Sequence, residues 1–405
     1  LMSGIVGLIT LDSGASSETD CTVWADARID YPDELRAKLG PGLESLDDAG
    51  LILLAYLRWG EACLEHLLGD FAFAIWDPRN RKLFCARDRF GLRPFYYHHA
   101  SGKRLVFASD ARAIFRVPEV PYEINEGRVA DFLVPELEWI DLTSTFFEGV
   151  YRLPPAHTLT VTPSSLDVSE YWSPDPGPAL QFTTDADYCE GFLEMFARAI
   201  EERQRGAEGR VGSMLSGGID SGSIVAMASP LPTYSLAQPR DVECAESQRI
   251  YATLEHLGLQ GTQIIADEEN CLIEQLGKDL EEPYDGEFLF LKAIYEAAKH
   301  DGCGVVLDGA AGDVVFNEGT YIARLLRRGH LRQAWHETAG GQAFWEQRQV
   351  LPAFLLHLRS AFVPELIKQI FRPARQRNAA RGFINESLLD PGFAKHVDIA
   401  ARFER

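Results

Sequence analysis

The nonapeptide LSGGIDSGS, Leu215–Ser223, lies between the apolar runs VGSM and IVAMA near the middle of a chain of 405 residues. A short apolar run, two adjacent glycines and a second apolar run predict a strand, a tight loop and a helix. Such a loop presents unpaired backbone N–H groups and the positive end of a helix dipole to an anion. This stretch therefore predicts an anion-binding turn at the end of a strand.

The alternation of strands and helices continues on both sides of this loop. The amphipathic segment DADYCEGFLEMFARAIEERQR precedes it, and the apolar runs PTYSLA, GTQIIA and CGVVLDG follow, with two helices predicted between Glu268 and Lys299. This order predicts an α/β parallel sheet whose ligands bind beyond the carboxyl ends of the strands. The loop and the segment LDGAAGD, Leu307–Asp313, both follow strands and should meet at that edge.

The N-terminal part of the chain has a different pattern. It alternates short β-like runs, such as FAFAIWD and HTLTVTP, with turn signals, and one helix is predicted over Gly50–Leu67. The Pro- and Gly-rich stretch YWSPDPGPALQFTTDADY then ends in a helix-capping signal at Thr184. We therefore predict an α+β domain over 1–172, a linker over 173–185, and an α/β domain over 186–405 that is helical after Thr320.

Composition and charge exclude several classes of function. The formal net charge of −21 disfavours nucleic acid as a partner, because a surface of that sign repels a phosphate backbone. No run approaches the roughly 18 apolar residues of a membrane span, and no signal peptide is recognisable. The seven cysteines are scattered without C-x-x-C spacing, which favours reduced thiols. These features predict a cytoplasmic enzyme that binds neither nucleic acid nor a membrane.

The glycine-serine loop combines hydroxyl donors with one carboxylate. Ser216 and Ser221 can donate to an anion, and the two glycines permit close approach of the backbone. Asp220 would repel a bound phosphate unless a metal ion lay between them, so Mg²⁺ completes the predicted site. Asp313, in LDGAAGD, is the candidate second ligand, with a helix N-cap as its alternative role. No lysine follows as in a Walker A loop, and the simplest alternative is a serine-rich turn that caps a helix.

Four segments together resemble one known superfamily. SGGIDS resembles the pyrophosphate loop S-G-G-x-D-S of the ATP pyrophosphatases, and LDGAAGD is similar to the second magnesium loop of their asparagine synthetase branch. LLGDFAFAIWDPRNRKLFCARDRFGLRPFYY and LVFASDARAIF resemble the glutaminase-like domain of the same proteins. The resemblance implies an N-terminal αββα sandwich of the N-terminal-nucleophile type. It also implies a C-terminal domain of the adenine nucleotide α-hydrolase type with a helical extension.

The resemblance also implies a reaction and a set of binding residues. A substrate carboxylate attacks the α-phosphate of ATP, pyrophosphate leaves into the loop, and an amine displaces AMP to form an amide, with electrostatic stabilisation from the loop. It implies Mg²⁺ ligation by Asp220 and Asp313 and adenosine contacts near Leu215 and Ser235. The residues implied to bind ATP are Leu215, Ser216, Gly217, Gly218, Asp220, Ser221, Ser235 and Gly309.

The source of the amine departs from the glutamine-dependent members of this superfamily. Those proteins begin M-C-G-I and use the cysteine as nucleophile, whereas this chain has MSGIV, with Ser3 at that position. The glutamine-holding N-G-E segment corresponds to Ala25, Asp26 and Ala27 in WADARID, and the R-G-P-D loop has no counterpart. Alanine cannot hydrogen-bond a glutamine head group. We therefore predict that the first domain does not hydrolyse glutamine and that the amine belongs to the substrate.

Two branches of the superfamily use an amine of the substrate: β-lactam synthetases, and lasso peptide cyclases, which join a peptide's N-terminal amine to an Asp or Glu side chain. The segments ADARID, EPYDGEFLFLKAIYEAA and VVLDGAAGDVVFNEG look more like the lasso cyclases. That branch implies a precursor core peptide as substrate, with a leader peptidase and a leader-recognition protein as partners. The alternatives are a β-lactam synthetase-like small-molecule cyclase, a glutamine-dependent asparagine synthetase and a catalytically silent scaffold.

The sequence leaves the catalytic base unassigned. The acid/base position of the second loop, Glu in asparagine synthetases and Tyr in β-lactam synthetases, is Ala310 here. A substrate carboxylate, Glu282, Glu318 and other residues are the open candidates. The superfamily's lysine beside the α-phosphate has no counterpart, so we expect segments of the protein to be absent from this sequence. Between Tyr321 and Arg381 there are 11 Lys or Arg and three Glu, which predicts solvated helix faces, or contact with an acidic peptide or with nucleotide phosphates.

Overall fold

The structure is a computed structural model of the chain. It describes residues 5–10, 21–100, 104–134, 137, 140–175, 177, 180–205, 207, 209–238, 244–265, 286–312, 321–344, 349–363 and 389–403. Within these ranges, no helix combines the length and the apolar character that crossing a membrane requires.

Two antiparallel sheets form the centre of the first domain. The strands are β1 Val6–Thr10, β2 Thr22–Ile29, β3 Gly69–Asp77, β4 Lys82–Arg87, β5 Tyr96–Ala100, β6 Arg104–Ala108, β7 Tyr151–Arg152, β8 His157–Val161 and β9 Leu166–Glu170. In the described residues, one sheet has the order β2-β3-β4-β8-β9 and the other the order β1-β6-β5-β7. The helices of this domain are α1 Pro32–Leu39, α2 Asp48–Trp59, α3 Ala111–Ile114 and α4 Glu126–Phe132.

Strand β3 explains how the sheets and helices stack. Successive side chains of a strand point to opposite faces, so FAFAI divides into large and small residues. Phe71 and Phe73 pack under α1 and α2, whereas Ala72 and Ala74 lie in the core between the two sheets. A third cluster, which includes Ile114 of α3, covers the outer face of the second sheet. The first domain is therefore an αββα sandwich, as the sequence predicted.

A parallel sheet forms the centre of the second domain. Its elements are α5 Asp185–Gln204, β10 Arg210–Met214, α6 Ile219–Ala228, β11 Thr233–Leu236, α7 Ala245–Leu257, β12 Gly261–Ile264, α8 Gly286–His300 and β13 Cys303–Leu307. The strand order is β12-β11-β10-β13, and every pair described is parallel. Leu307 packs with α5 and α6 on one face, and Met214 packs with α8 on the other. The predicted α/β architecture with helices on both faces is confirmed.

Helices follow the parallel sheet, and the last of them return to the first domain. They are α9 Tyr321–Arg327, α10 Leu331–Phe344, α11 Val350–Phe362, α12 Pro391–His396 and α13 Ile399–Arg402. The first three share a core that contains Leu326 and Ala361. Ala394 and Ile399 pack against Ala130 of α4, and Arg402 bonds to Asp131 through two contacts of 2.5 Å. This return of the chain has no signal in the local sequence pattern.

Two helix predictions need comment. The helix predicted over Gly50–Leu67 begins at Asp48, where Asp47 caps it, and its α-helical part ends at Trp59. Gly60 then adopts a φ of +62°, which stops the α-helix, and a 3₁₀ turn covers Gly60–Glu65. Of the two helices predicted between Glu268 and Lys299, the second is α8 and the first lies outside the described residues.

Candidate nucleotide-binding site

The strand β10 delivers the chain to the predicted loop at the carboxyl edge of the parallel sheet. Leu215 is fully buried, and its N–H donates to the carbonyl of Tyr234 at 2.9 Å. Its side chain packs against α6 and α7, so any adenosine contact at this position has to use the main chain. The loop proper therefore begins at Ser216, which is exposed.

Glycine is required at the first loop position after Ser216. Gly217 has a φ of +80°, which strains every residue that carries a Cβ. A Cβ placed there would also lie 2.6 Å from the carbonyl oxygen of Glu246, so the loop packs tightly on the start of α7. Gly218 is the N-cap of α6 and makes no side-chain cap bond, which leaves the first N–H groups of that helix open to a ligand.

Ser221 braces the loop from inside. Its hydroxyl oxygen accepts from the N–H of Ser216 at 3.0 Å and lies 2.9 Å from the Ser216 hydroxyl. Ser221 is almost completely buried, whereas Ser216 is exposed. Of the two serines, Ser216 is therefore the one whose hydroxyl is available to an anion without disturbing the loop.

The second predicted loop packs directly against the first because β13 pairs with β10. A Cβ on Gly309 would lie 2.8 Å from the backbone nitrogen of Ser221, and one on Gly312 would lie 2.8 Å from Cγ of Asp220. These two glycines let the backbones approach more closely than alanine would allow. The structure thus brings together Asp220, Ser221 and Gly309 as predicted, while Asp313 lies outside the described residues.

The donor set fits Mg²⁺ bound together with a phosphate better than a cage made of protein alone. In the described ranges, no three His, Cys, Asp or Glu side chains are grouped as such a cage requires. Mg²⁺ usually keeps waters and binds through one or two carboxylates plus substrate phosphates. Asp220, in the first turn of α6 and next to open helix N–H groups, matches that arrangement.

Two further residues belong to this edge of the sheet. Ser235, near the carboxyl end of β11, is fully buried, and its hydroxyl has no hydrogen-bond partner in the described part of the chain. Such an orphaned group is costly, by about 1–3 kcal/mol, and is one a ligand could satisfy. Arg249 of α7, which the sequence reasoning missed, has its Cβ 3.3 Å from the Cβ position of Gly217. The sequence could have indicated Arg249 only as a basic residue in the helix that follows the neighbouring strand β11.

The segment predicted to correspond to the glutamine-holding N-G-E lies on β2. Ala25 and Ala27 pair with Phe73 and Phe71 of β3, and neither offers a polar side chain. Burial raises the pKa of Asp26 above its ordinary value of 3.8, while Arg93, 3.4 Å away, lowers it. Ser3, the predicted counterpart of the nucleophile, lies outside the described residues, as do Glu282 and Glu318.

A cavity of about 630 Å³ lies between the two domains. The first domain contributes Leu92 and charged side chains to its lining. Helices α5 and α6 contribute mainly apolar side chains, among them Phe196 and Ile224, and the second loop contributes Asp308 and Ala310. The volume lies within the range of roughly 300–1,000 Å³ typical of small-molecule sites. The cavity therefore connects the first domain with the rim of the candidate nucleotide site.

Salt bridges at the end of α5 hold the domains together around this cavity. Arg203 bonds to Asp70 at 2.5 Å and approaches Asp30 at 3.5 Å. Glu202 accepts from the N–H of Tyr31 at 3.0 Å. These contacts fix α5, which packs on the parallel sheet, to strands of the first domain.

A strand, a glycine-rich turn and an open helix N-terminus at the carboxyl edge of a parallel sheet define a nucleotide-binding α/β domain. Comparison with known families agrees with this class. Residues 191–397 match the asparagine synthase family, and residues 29–172 match the glutamine amidotransferase domain. The chain belongs to the asparagine synthase family, and the predicted resemblance to that superfamily is confirmed.

Individual relatives share about a third of the aligned residues with this chain. The chain is 33% identical over 218 residues to glutamine-hydrolysing asparagine synthetase 3 of Bacillus subtilis, an alignment of 51% of this chain and 34% of that protein. It is 30% identical over 303 residues to a putative glutamine-hydrolysing asparagine synthetase of Mycobacterium bovis, covering 71% of this chain and 45% of the relative. The chain thus spans less than half the length of either protein.

Among solved structures, the chain matches the glutamine phosphoribosylpyrophosphate amidotransferase of B. subtilis in complex with ADP and GMP. Its TM-score is 0.31 at 12% identity, with 69% of this chain and 77% of that chain covered.

Proposed function

We propose that the chain is an ATP-dependent amide-forming synthetase. It activates a substrate carboxylate as an acyl-adenylate and releases pyrophosphate, and the substrate's own amine then displaces AMP. The observation that carries this proposal is the close packing of the two loops, in which Gly309 lies against the backbone of Asp220 and Ser221. Membership of the asparagine synthase family supports the same reaction class.

The described side chains of the loop have distinct tasks in this reaction. The open N–H groups at the start of α6 and the Ser216 hydroxyl bind the pyrophosphate group, and Ser221 holds the loop in shape. Asp220 and Asp313 would hold Mg²⁺, which when bound offsets the negative charge of the polyphosphate. Fixed donors aimed at developing charge lower the barrier without reorganising during the reaction.

We infer that the amine comes from the substrate, because the described β2 segment predicted to hold glutamine carries alanines at positions 25 and 27. On β2, Ala25 and Ala27 stand where the glutamine-dependent members carry polar groups, and Asp26 is buried beside Arg93. Neither alanine can bond a carboxamide. An enzyme with ATP chemistry and no glutamine site needs another amine, and one on the substrate itself leads to ring closure.

The substrate class we propose is a ribosomal core peptide, closed to a macrolactam between its N-terminal amine and an Asp or Glu side chain, as in lasso peptides. A leader peptidase and a leader-recognition protein are the expected partners. The segment after Thr320 supports a peptide partner, since α9, the turn that follows it and the start of α10 carry exposed basic side chains such as Arg324, Arg328 and Arg332.

Substrate-dependent exchange between ATP and labelled pyrophosphate tests the proposal. Leader-free linear peptides with a free amine and one Asp or Glu should support exchange and give a product lighter by one water. Exchange only with small β-amino acids would favour a β-lactam-type cyclase, and glutamate release from glutamine would contradict the assignment of the first domain. Wild-type protein that exchanges with no carboxylate would favour a silent scaffold.

A matched pair of variants links exchange to the loop. Asp220→Ala should abolish exchange because the Mg²⁺ ligand is lost. Asp33→Ala removes an acidic residue from the first turn of α1, where its side chain is 90% exposed, and should leave exchange unchanged. Exchange that survives Asp220→Ala would remove Asp220 from the metal site.

A further inference from the structure

Among the described residues that line the cavity between the domains, one carboxylate has no cationic partner. Arg203 pairs with Asp70 at 2.5 Å, and Arg93 faces Asp26 at 3.4 Å. Arg28, the remaining cation of the lining, is paired as well. Asp308, by contrast, forms no ion pair with any residue that the structure describes. Its charge is therefore available to a cationic ligand in the cavity.

Two neutral donors hold this carboxylate in place. The hydroxyl of Tyr295 on α8 donates to one oxygen of Asp308 at 3.1 Å, and the N–H of Ala310 donates to the other at 3.0 Å. Burial and the charge of Asp308 raise the pKa of Tyr295 to about 12, so the phenol stays protonated at neutral pH and remains a donor. These bonds orient Asp308 without neutralising it, which is what a proton acceptor requires.

The position of this pair on the sheet distinguishes it from a similar pair. Tyr234 donates to Asp301 at 3.1 Å, but Asp301 precedes β13, at the amino end of the strand. Asp308 follows β13 at the carboxyl end, where parallel α/β sheets bind their ligands. It also directly precedes Gly309, which touches the nucleotide loop. Only the Tyr295–Asp308 pair therefore lies at the reacting edge.

The rest of the cavity suits the carbon chain that carries an amine. Phe196, Ile200, Ile224 and Leu92 supply apolar surface next to Asp308. Ala310, which also lines the cavity, is small, so the carboxylate is not screened by a longer side chain at that position. A cavity with apolar surface, paired arginines and one uncompensated carboxylate favours a primary ammonium group over an anion.

We propose that this cavity binds the amine of the substrate and that Asp308 accepts its proton during amide formation. The inference rests on the proposed synthetase function. The ammonium gives one proton to water before attack. As the C–N bond forms, the second proton passes to the Asp308 carboxylate, and the acyl–oxygen bond breaks with its electron pair leaving on AMP. Tyr295 is a positioning residue that acts through Asp308.

The decisive experiment separates the two half-reactions. The probes are the linear peptide that supports pyrophosphate exchange and hydroxylamine, which is already unprotonated at neutral pH. Asp308→Asn should leave exchange within about twofold of wild type and slow peptide ring closure by about 100-fold or more, since positioned bases contribute on that order. Hydroxylamine should still discharge the acyl-adenylate of this variant, which also shows that it is folded.

Two further variants separate chemistry from structure. Tyr295→Phe should slow ring closure about fivefold, the loss expected for one orienting hydrogen bond, with exchange unchanged. Asp301→Asn is the matched control, because it removes the charge from a Tyr–Asp pair with a bond of the same length at the other end of β13, and it should alter neither half-reaction. Equal effects of Asp301→Asn and Asp308→Asn on ring closure would overturn the proposal.

Binding without ATP locates the amine in the cavity. Wild-type protein should bind the free-amine peptide about tenfold more tightly than its N-acetylated twin, and Asp308→Asn should remove that preference. Ala199→Trp, which fills the cavity from α5, should weaken binding, whereas Met195→Trp on the same helix, where Met195 is 65% exposed, should not.

The outcomes distinguish the two proposals. No exchange with wild-type protein refutes the synthetase function and, with it, the amine site. Normal exchange with ring closure unaffected by Asp308→Asn refutes the amine site alone, as does a preference for the free amine that survives this substitution.

Discussion

Gly309→Ala tests the contact on which the nucleotide site depends. The added methyl carbon would lie 2.8 Å from the nitrogen of Ser221 and 2.9 Å from Cβ of Asp220, and both atoms belong to or adjoin the backbone. Ordinary contacts begin at 3.4 Å, so the two loops must separate by the difference, about 0.6 Å. Neither neighbour is the flexible end of a long side chain, so the loops have to move as units.

The expected effect is much larger on activity than on stability. A displacement of about 1 Å in a catalytic site can cost about 100-fold in rate, so a separation of 0.6 Å should slow exchange about tenfold. Overpacking of this kind should lower the free energy of unfolding by about 1–3 kcal/mol. Pyrophosphate exchange measures the rate, urea unfolding measures the stability, and calorimetry of ATP binding shows whether the variant still binds the nucleotide.

Gly340→Ala is the matched control for the same substitution. Gly340 lies within α10, and a Cβ there would meet nothing within 4 Å. The variant should gain about 0.5–1 kcal/mol of stability from helix propensity and keep wild-type exchange. If Gly309→Ala exchanges as fast as Gly340→Ala and binds ATP equally well, the packing of the two loops is not what forms the site.

Two further predictions concern stability. Asp131→Ala leaves the half-buried Arg402 guanidinium unpaired and should lower the free energy of unfolding by about 3 kcal/mol. Glu126→Gln, in the exposed pair with the same segment, should cost less than about 1 kcal/mol in urea unfolding. A large loss in both variants would contradict this ranking. Burial alone would raise the pKa of Asp141, but hydrogen bonds from Thr143–Ser144 outweigh it and hold the pKa well below its ordinary value of 3.8. Because the folded-state pKa is depressed, this stabilisation is present above about pH 4 and is lost as the pH falls further, so Asp141→Asn should be less stable at neutral pH and should lose less on acidification. Unchanged acid sensitivity in urea titrations of the variant would count against this assignment.

The architecture of both domains could be predicted because it is encoded in local periodicity. In FAFAIWD, alternation of phenylalanine and alanine suits a strand buried on both faces, and β3 places Phe73 and Ala74 accordingly. The capping signal at Thr184 is present as a capping box at the start of α5. The ends of individual helices were predicted less accurately than their positions. In α2, Gly60 ends the α-helix within an otherwise apolar pattern.

The candidate site could be predicted only in part. LSGGIDSGS by itself determined a strand, a turn that needs glycine at Gly217, and an open helix N-terminus, because each depends on neighbours within a few residues. The sequence did not reveal that Ser221 braces the loop or that the side chain of Leu215 is buried, since both depend on how the loop folds back on the sheet. The residue types alone do not distinguish a serine that braces the loop from one that binds a ligand, or a buried leucine from one that contacts the nucleotide.

Only the tertiary structure decided which distant residues meet. Asp308 and Tyr295 come together because β13 and α8 pack side by side, and Asp131 receives Arg402 although 271 positions separate them. Such contacts depend on the relative placement of whole elements, which no local pattern specifies. For this chain, the sequence by itself determined a glycine-serine loop between a strand and a helix, and apolar side chains at Ala25 and Ala27. The packing of the second domain against the first decided where a substrate amine can lie.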